Sequence, residues 1–166
     1  MSGTPAIARV PAAETRALRR AILRPNQTPE ACIYPGDNDP ASFHLGIRDP
    51  DSPGDDLIAV ASFYREPVPG DANNPAHAGT PDLRIRGMAV LPEHRGRGLG
   101  RTLAEAGLAI AREQTPPPAL AWCNARTSAC AYYEKLGFTP RGGEFEIEGI
   151  GPHFVMVRAV LLDTAE

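Results

Sequence analysis

A glycine-rich run flanked by arginines is the segment of this sequence best suited to chemistry. It reads Arg95-Gly96-Arg97-Gly98-Leu99-Gly100, between a strand-like segment and a helix-like one. Amide N–H groups at a helix start lack partners within the helix, and the helix dipole adds positive potential there. Glycines allow positive φ and let a ligand approach the backbone closely. The run therefore predicts a site for a di- or triphosphate group.

Two nucleotide-binding motifs fit this run poorly. A P-loop requires a glycine, four residues and then Gly-Lys-Ser/Thr, but here Arg95 replaces the first glycine and Arg101-Thr102 follows Gly100. A dinucleotide fingerprint requires a third glycine where this sequence has Arg101. Both mismatches disfavour a nucleotide-phosphate binder, and a plain loop with a solvated basic face stays open as the simplest alternative.

Length and composition limit the class of protein. The 166 residues, 42% of them hydrophobic, predict one domain over 1–166 with a real core. A net charge of −3 gives no indication of nucleic-acid binding. Cys32, Cys123 and Cys130 have neither disulfide nor metal spacing, which suits a reducing cytoplasm. We expect a cytoplasmic protein without a metal, a signal peptide or a membrane span.

Hydrophobic periodicity predicts the elements that must position the glycine run. A helix is expected over 12–23, with Ala17, Leu18, Ala21 and Ile22 on its apolar face and Arg16, Arg19 and Arg20 on a solvated one. Strands are expected over 42–48, 57–64, 83–91, 119–123, 144–148 and 153–161, and further helices over 99–113 and 127–136. This order predicts an α/β sheet of mixed strand direction.

Two connections differ from ordinary turns. Residues 29–40 are rich in proline, glycine and aspartate, which predicts an irregular segment with Ile33-Tyr34 as its anchor. Residues 66–81 form a polar stretch of unusual length, expected to be an insertion, a lid or a mobile flap.

Two segments resemble signatures of one enzyme family. Arg95-x-x-Gly98-x-Gly100, after the strand Met88-Ala89-Val90, resembles the pyrophosphate motif of the GNAT superfamily of N-acetyltransferases. Tyr132-Tyr133-Glu134-Lys135-Leu136-Gly137-Phe138 resembles the second signature, in the order and at roughly the separation that the family uses. The resemblance covers 83–138 clearly, and the stretch from Glu144 to Ile150 with His153 looks like an uncharacterised bacterial branch. It implies a mixed, mostly antiparallel sheet with a central splayed parallel strand pair, flanked by helices.

The resemblance also implies an acyl donor, acetyl-CoA, and residues that bind it. Main-chain contacts to the pantetheine arm are expected from the strand end, and an N–H near Val90 would stabilise the thioester oxyanion. Phosphate contacts are expected from the amides of the glycine run. The implied cofactor-binding residues are Met88, Ala89, Val90, Arg95, Gly96, Arg97, Gly98, Leu99, Gly100, Arg101, Thr102, Asn124 and Arg126.

The reaction implied is direct attack by a primary amine of a small molecule or a peptide, which requires a base and an acid. Tyr133 matches the family's general acid, sitting directly before Glu-Lys-Leu-Gly-Phe. The base is open between His44, His153, Glu66 and a carboxylate acting through water, since arginine occupies position 84, where some relatives carry glutamate. His44 is placed by strand alternation on a polar face toward the acceptor. The alternative function is a non-catalytic, regulatory CoA-binding module.

Two further features have two interpretations each. Arg84 and Arg86 share one strand face with Met88 by period two, and they either bind an anionic group of the acceptor or pair with an acid on a neighbouring strand. Residues 154–157 are apolar, and they either form a homodimer contact or a half-buried strand inside the monomer.

Overall fold

The computed structural model describes residues 5–70 and 81–161. The strands are β1 (Ile7–Arg9), β2 (Phe43–Arg48), β3 (Leu57–Arg65), β4 (Leu83–Val90), β5 (Leu120–Arg126), β6 (Thr139–Ile147) and β7 (Gly151–Ala159). The α-helices are α1 (Ala12–Leu18), α2 (Leu99–Arg112) and α3 (Cys130–Lys135). The strands follow the order β1-β2-β3-β4-β5-β7-β6, mostly antiparallel, with β4 and β5 as the parallel pair. The predicted mixed α/β fold is confirmed.

The described residues divide into two compact units. The first unit comprises the residues up to Tyr64 together with Ile85–Gly107, and the second comprises Arg65–Arg84 and the residues from Leu108 onward. Strand β4 therefore contributes its first two residues to the second unit and the rest to the first. The single domain expected from the sequence stays a prediction.

In the first unit, the predicted strands β2 and β3 pair antiparallel. Phe43 pairs with Phe63 across the ladder, and their rings stack with centroids 4.8 Å apart. Helix α2 packs on the same ring, because a Cβ added at Gly107 would overlap Phe63. Leu45, Ile47 and Phe63 of these strands are buried. This packing fixes α2, the helix that follows the glycine run, at Gly107.

The buried and exposed faces of the first helix differ from the predicted ones. Helix α1 ends at Leu18 and continues as a π-helix over Arg19–Leu23, with the Arg24 amide donating to the Arg19 carbonyl at 3.1 Å. Arg19 is 0% exposed, whereas Ala17 and Ala21 are exposed, so the predicted faces are wrong at these positions. The wider turn of a π-helix shifts the face pattern of a 3.6-residue period. Arg19 can occupy a buried position because a buried carboxylate pairs with its guanidinium.

The irregular segment after the first helix has one buried anchor instead of two. A 3-10 turn covers Pro29–Cys32, after which Tyr34 is 4% exposed and Ile33 is 48% exposed. The anchor prediction is therefore confirmed for Tyr34 and wrong for Ile33. The expected lid or flap over 66–81 is described only at 66–70 and 81, so residues 71–80 lie outside the described residues.

In the second unit, β7 lies between β5 and β6. It pairs antiparallel with β5 from Leu120 to Arg126 and with β6 from Thr139 to Ile147. Residues 154–157 therefore belong to a strand paired on both sides within the monomer, as one of the two interpretations expected. Strand β5 reaches Arg126, three residues beyond its predicted end, and so includes Asn124.

Candidate functional site

The glycine run, with the two residues after it, forms a turn that we call the glycine cradle (residues 95–102). A short 3-10 turn over Pro92–His94 follows β4, and Gly96 and Gly98 then adopt φ values of +77° and +75° before α2 begins at Leu99. The amide N–H groups of residues 96–100 donate to no acceptor in the described part of the chain. Because such amides attract anionic oxygens at a helix start, the cradle fits a phosphate group.

Side chains of the cradle hold its shape and leave the amides available. The Arg95 Nε donates to the Val90 carbonyl at 3.2 Å, and the Thr102 hydroxyl donates to the Gly98 carbonyl at 3.0 Å. The Arg97 guanidinium lies 2.8 Å from His94 Nδ1. A Cβ added at Gly96 or Gly98 would meet nothing within 4 Å, so these positions are open and their glycines are required by φ rather than by space.

The end of β4 leads into the cradle. Gly87 has a φ of +66°, which interrupts the regular strand just before the predicted pantetheine-binding residues. Ala89 is buried against Leu18 and Val60, while Met88 and Val90 are half-buried. The side chain of Ala89 therefore belongs to the core, and any ligand contact there falls to main-chain groups.

Pairing between the parallel strands is short. The β4–β5 register contains Leu83 with Ala121 and Arg84 with Trp122, and it stops there although β5 continues to Arg126. Beyond that point Asn124 has a buried Oδ1 with no hydrogen-bond partner in the described residues. A buried acceptor without a partner is costly and rare, so Asn124 is suited to receive an N–H from a ligand. Arg126 is exposed at the strand end.

Tyr133 lies on α3 with a half-buried ring. The ring packs edge-on against Phe138 and Tyr132, with centroids 5.8 Å and 5.4 Å away. Its hydroxyl has no hydrogen-bond partner among the residues that the structure describes. Burial, with Cys123 and Tyr132 adding to it, raises the pKa of Tyr133 above its ordinary value, so the phenol stays protonated at neutral pH.

The nearby Cys123 thiol is not a competing nucleophile. Burial raises the pKa of Cys123 to about 12, because the thiolate is disfavoured in that apolar setting. The thiol therefore stays protonated and unreactive at neutral pH.

His153 is buried at the start of β7 with one ring nitrogen engaged. Its Nδ1 lies 2.7 Å from the Gly151 carbonyl, which can only accept, so Nδ1 carries the proton. Its Nε2 has no partner in the described residues and keeps its lone pair. Across the ladder His153 pairs with Arg126, so the structure brings these two predicted site residues together.

His44 is buried with both ring nitrogens engaged. Nε2 donates to the Asp37 carbonyl at 2.9 Å, and Nδ1 accepts from the Ser62 hydroxyl at 2.7 Å. Burial, with a contribution from Arg19, lowers the pKa of His44, so the ring is neutral. The polar face on which the sequence placed His44 is thus internal, with the side chain 5% exposed.

The network around His44 is centred on Arg19 and Asp37, and no sequence pattern predicted it. Arg19 donates to both carboxylate oxygens of Asp37 at 2.7 Å and 3.0 Å, and to the Ser62 hydroxyl at 2.7 Å. The Tyr64 hydroxyl donates to Asp37 at 2.6 Å. Burial favours the neutral acid, but hydrogen bonds from Arg19, Tyr64 and the Tyr34 amide outweigh it and hold the pKa of Asp37 below its ordinary value.

Arg84 pairs with an acid, as one interpretation of the strand arginines expected. Its guanidinium lies 3.1 Å and 3.2 Å from the Glu66 carboxylate oxygens and 4.8 Å above the Trp122 ring. The Trp122 indole N–H donates to the Glu66 carbonyl at 2.9 Å. Arg86 instead stacks on the ring of Tyr34, 4.0 Å from its centroid.

The described residues hold neither a metal-binding group nor a membrane-spanning helix. Among the described residues there is no group of three or more histidine, cysteine or acidic side chains that could hold a metal ion. In the same part of the chain, no helix has the length and apolar character needed to cross a membrane.

The mixed sheet with its short parallel pair and the amide-lined glycine cradle agree with the fold and the phosphate site that the family resemblance implied. Residues 13–138 match the model of the acetyltransferase (GNAT) family, and the chain belongs to that family. It is 38% identical over 150 residues to a Bacillus subtilis protein named uncharacterized N-acetyltransferase YitI, which covers 89% of this chain and 91% of that protein.

Two solved structures share the fold. Arabidopsis thaliana NAA60, solved with acetyl-CoA, has a TM-score of 0.71 at 14% identity and covers 94% of this chain and 98% of its own. Escherichia coli YhbS, solved with CoA, has a TM-score of 0.66 at 18% identity and covers 95% of this chain and 82% of its own. At these identities the likeness concerns the fold.

Proposed function

We propose that this acyltransferase moves the acetyl group of acetyl-CoA to a primary amine by direct attack. The observation that carries the proposal is the row of unpartnered amides at residues 96–100, ahead of α2. CoA carries a pyrophosphate, and the chemistry of these amides matches its anionic oxygens. The bound acetyl-CoA and CoA of the Arabidopsis and Escherichia coli structures support the same co-substrate here.

The proposed cofactor contacts follow from the groups that each residue offers. The cradle, residues 95–102, offers amides and arginine charge to the phosphates. Met88, Ala89 and Val90 offer main-chain groups to the pantetheine arm, and Asn124 offers its unpaired Oδ1 to an amide N–H of that arm. Arg126 adds positive charge at the end of β5.

Acyl transfer needs two proton movements. The amine nitrogen forms a bond to the acyl carbon and loses a proton to a base, while the C–S bond breaks and the departing thiolate gains a proton from an acid. Tyr133 is assigned as the acid, since a phenol is protonated at neutral pH and its hydroxyl has no competing partner in the described residues.

We assign His153 rather than His44 as the base. A base needs a ring nitrogen with an available lone pair, and the Nδ1 donation of His153 to Gly151 leaves that lone pair on Nε2. His44 already uses its lone pair to accept from Ser62, and its lowered pKa makes it a weak proton acceptor.

We also propose a cytoplasmic location. Cys32, Cys123 and Cys130 are all free thiols in the structure, as expected for a reducing compartment. Purification with and without reductant, followed by thiol counting, tests this: three titratable thiols without added reductant support the assignment, and an oxidised pair counts against it.

The test of the proposed reaction compares two adjacent tyrosines. Tyr133→Phe is expected to lower kcat for thiol release from acetyl-CoA with an amine panel by about 10²–10⁴-fold, the usual contribution of a general acid. The affinity for CoA, measured by thermal shift, is expected to stay unchanged.

Tyr132→Phe is the matched control, since Tyr132 is 41% exposed and the substitution keeps the ring that packs against Tyr133. It should retain near wild-type turnover. Equal turnover in wild type and Tyr133→Phe would remove Tyr133 as the acid. Stabilisation by CoA without thiol release for any amine would instead support the non-catalytic CoA-binding module.

A further inference from the structure

Tyr34 is buried, yet its hydroxyl has no use within the part of the chain that the structure describes. The residue is 4% exposed, but its hydroxyl has no hydrogen-bond partner among the described residues. The nearby Tyr64, equally buried, donates its hydroxyl to Asp37 at 2.6 Å. The Tyr34 hydroxyl is not among the buried polar atoms that lack a partner in the described residues, so it is open to a ligand although the rest of the residue is buried.

The ring of Tyr34 is surrounded by positive charge. The guanidinium carbons of Arg86, Arg19 and Arg24 lie 4.0 Å, 4.1 Å and 5.1 Å from its centroid. Asp37 neutralises Arg19 through both carboxylate oxygens. Arg24 uses its guanidinium on neutral acceptors, the Gln27 side chain and the Ala31 carbonyl. Positive potential around the ring therefore favours an anionic partner for its hydroxyl.

The hydroxyl end of the ring lies beside the strand that leads to the proposed acyl site. A Cβ added at Gly87 would come within 3.0 Å of Tyr34 Cε2, the carbon next to the one bearing the hydroxyl. Gly87 precedes Met88, Ala89 and Val90, the proposed pantetheine-binding residues. An acceptor held at the Tyr34 hydroxyl would therefore lie close to the end of β4.

We infer that the Tyr34 hydroxyl binds an oxyanion of the acceptor, so that the substrate class is amines that also carry an anionic oxygen group. The inference rests on the proposed acetyl transfer. Arg86 has a further interaction of its own, so the direct hydrogen bond is assigned to Tyr34 and the arginines contribute charge. Charge-assisted hydrogen bonds of this kind are stronger than neutral ones.

The test uses matched acceptors: an amino acid, its carboxamide and an aminoalkyl phosphate. Wild type is expected to favour the amino acid over its carboxamide in kcat/KM by about tenfold or more, the range of a hydrogen bond to a charged group. A preference for the aminoalkyl phosphate over the carboxamide would identify phosphate as the anionic group of the acceptor that the Tyr34 hydroxyl binds. Tyr34→Phe should lose the preference while the KM for acetyl-CoA stays unchanged, because the ring and its guanidinium contacts remain.

Tyr64→Phe is the matched control, because it also removes one buried hydroxyl. It should lower Tm and keep the acceptor preference. Equal kcat/KM for acid and carboxamide in wild type, or an intact preference in Tyr34→Phe, would overturn the inference and leave acetyl transfer standing.

A binding measurement separates the inference from the proposed function. If no amine is acetylated, calorimetric titration with an N-acetyl amino acid tests whether the Tyr34 hydroxyl binds an oxyanion. Binding to wild type that weakens about tenfold or more in Tyr34→Phe supports the anion site even without transfer. Absent binding, or equal binding to both proteins, overturns it.

Discussion

At the scale of single residues, the two histidines differ in the state of the ring nitrogen that a base would use. His153 donates through Nδ1 to a carbonyl and retains its Nε2 lone pair. In His44 both ring nitrogens form hydrogen bonds, one with Asp37 and one with Ser62. The sequence alone does not distinguish the two histidines as candidate bases, since each is a single histidine in a predicted strand. The hydrogen-bond partners that distinguish them come from backbone and side chains remote in the chain.

Replacing each histidine with glutamine separates these roles. His153→Gln is expected to lower kcat/KM by about 10²–10⁴-fold, as for loss of a general base. His44→Gln, assayed at a temperature where it is folded, should keep most of the wild-type kcat/KM. Equal losses of kcat/KM in the two variants would contradict the assignment.

At the scale of elements, helix α2 and strand β3 meet at a position that only glycine fits. Gly107→Ala would push a methyl group into the buried Phe63 ring, which is itself stacked on Phe43. We expect a loss of about 1–3 kcal/mol in the free energy of unfolding, typical of overpacking, measured by denaturant titration.

Gly143→Ala is the control for that substitution, since a Cβ at Gly143 would meet nothing within 4 Å. The control should stay within about 0.5 kcal/mol of wild type, as surface substitutions usually do. Comparable losses in the two variants would show that contact with Phe63 is not the cause.

Element boundaries were predictable where periodicity was unbroken. Helix α2 was predicted over 99–113 and runs over Leu99–Arg112, because its apolar spacing is regular. Strand β6 was predicted only from 144, since Pro140, Gly142 and Gly143 do not resemble a strand. The structure accommodates them at a register shift between Arg141 and Phe145, on an exposed strand that tolerates them.

At the scale of the whole molecule, buried titratable groups predict acid sensitivity. The pKa values of His44 and Asp37 are both below their ordinary values, so the folded chain binds fewer protons than the unfolded one and stability rises with pH. The contribution of His44 is complete above 6.5, its ordinary pKa, and is lost below it. That of Asp37 is lost below 3.8.

Tm is therefore expected to be flat near neutral pH, to fall below pH 6.5 and to fall more steeply below pH 3.8. His44→Gln should flatten the first decline and leave the second. Calorimetric scans across this range provide the measurement, and a first decline of wild-type slope in the variant would contradict the role of His44.

The family and the fold class were predictable from two short signatures. Both the glycine run and the Tyr-Glu-Lys-Leu-Gly-Phe stretch consist of consecutive residues, so a sequence pattern is enough to detect them. The Arg19–Asp37 network was not predictable, since its members are spread from residue 19 to residue 64 and each looks like ordinary surface or turn chemistry. The Arg19–Asp37 network depends on such long-range contacts, whereas the cradle is encoded within eight consecutive residues, 95–102.

The setting of Trp122 has an optical consequence. It is the one tryptophan in the sequence, it is 1% exposed, and it lies under Arg84 with its indole N–H fixed to the Glu66 carbonyl. Intrinsic fluorescence excited at the tryptophan band therefore arises from a single emitter on β5, two residues before Asn124. The protein carries a built-in spectroscopic reporter for events at that strand, with no label required.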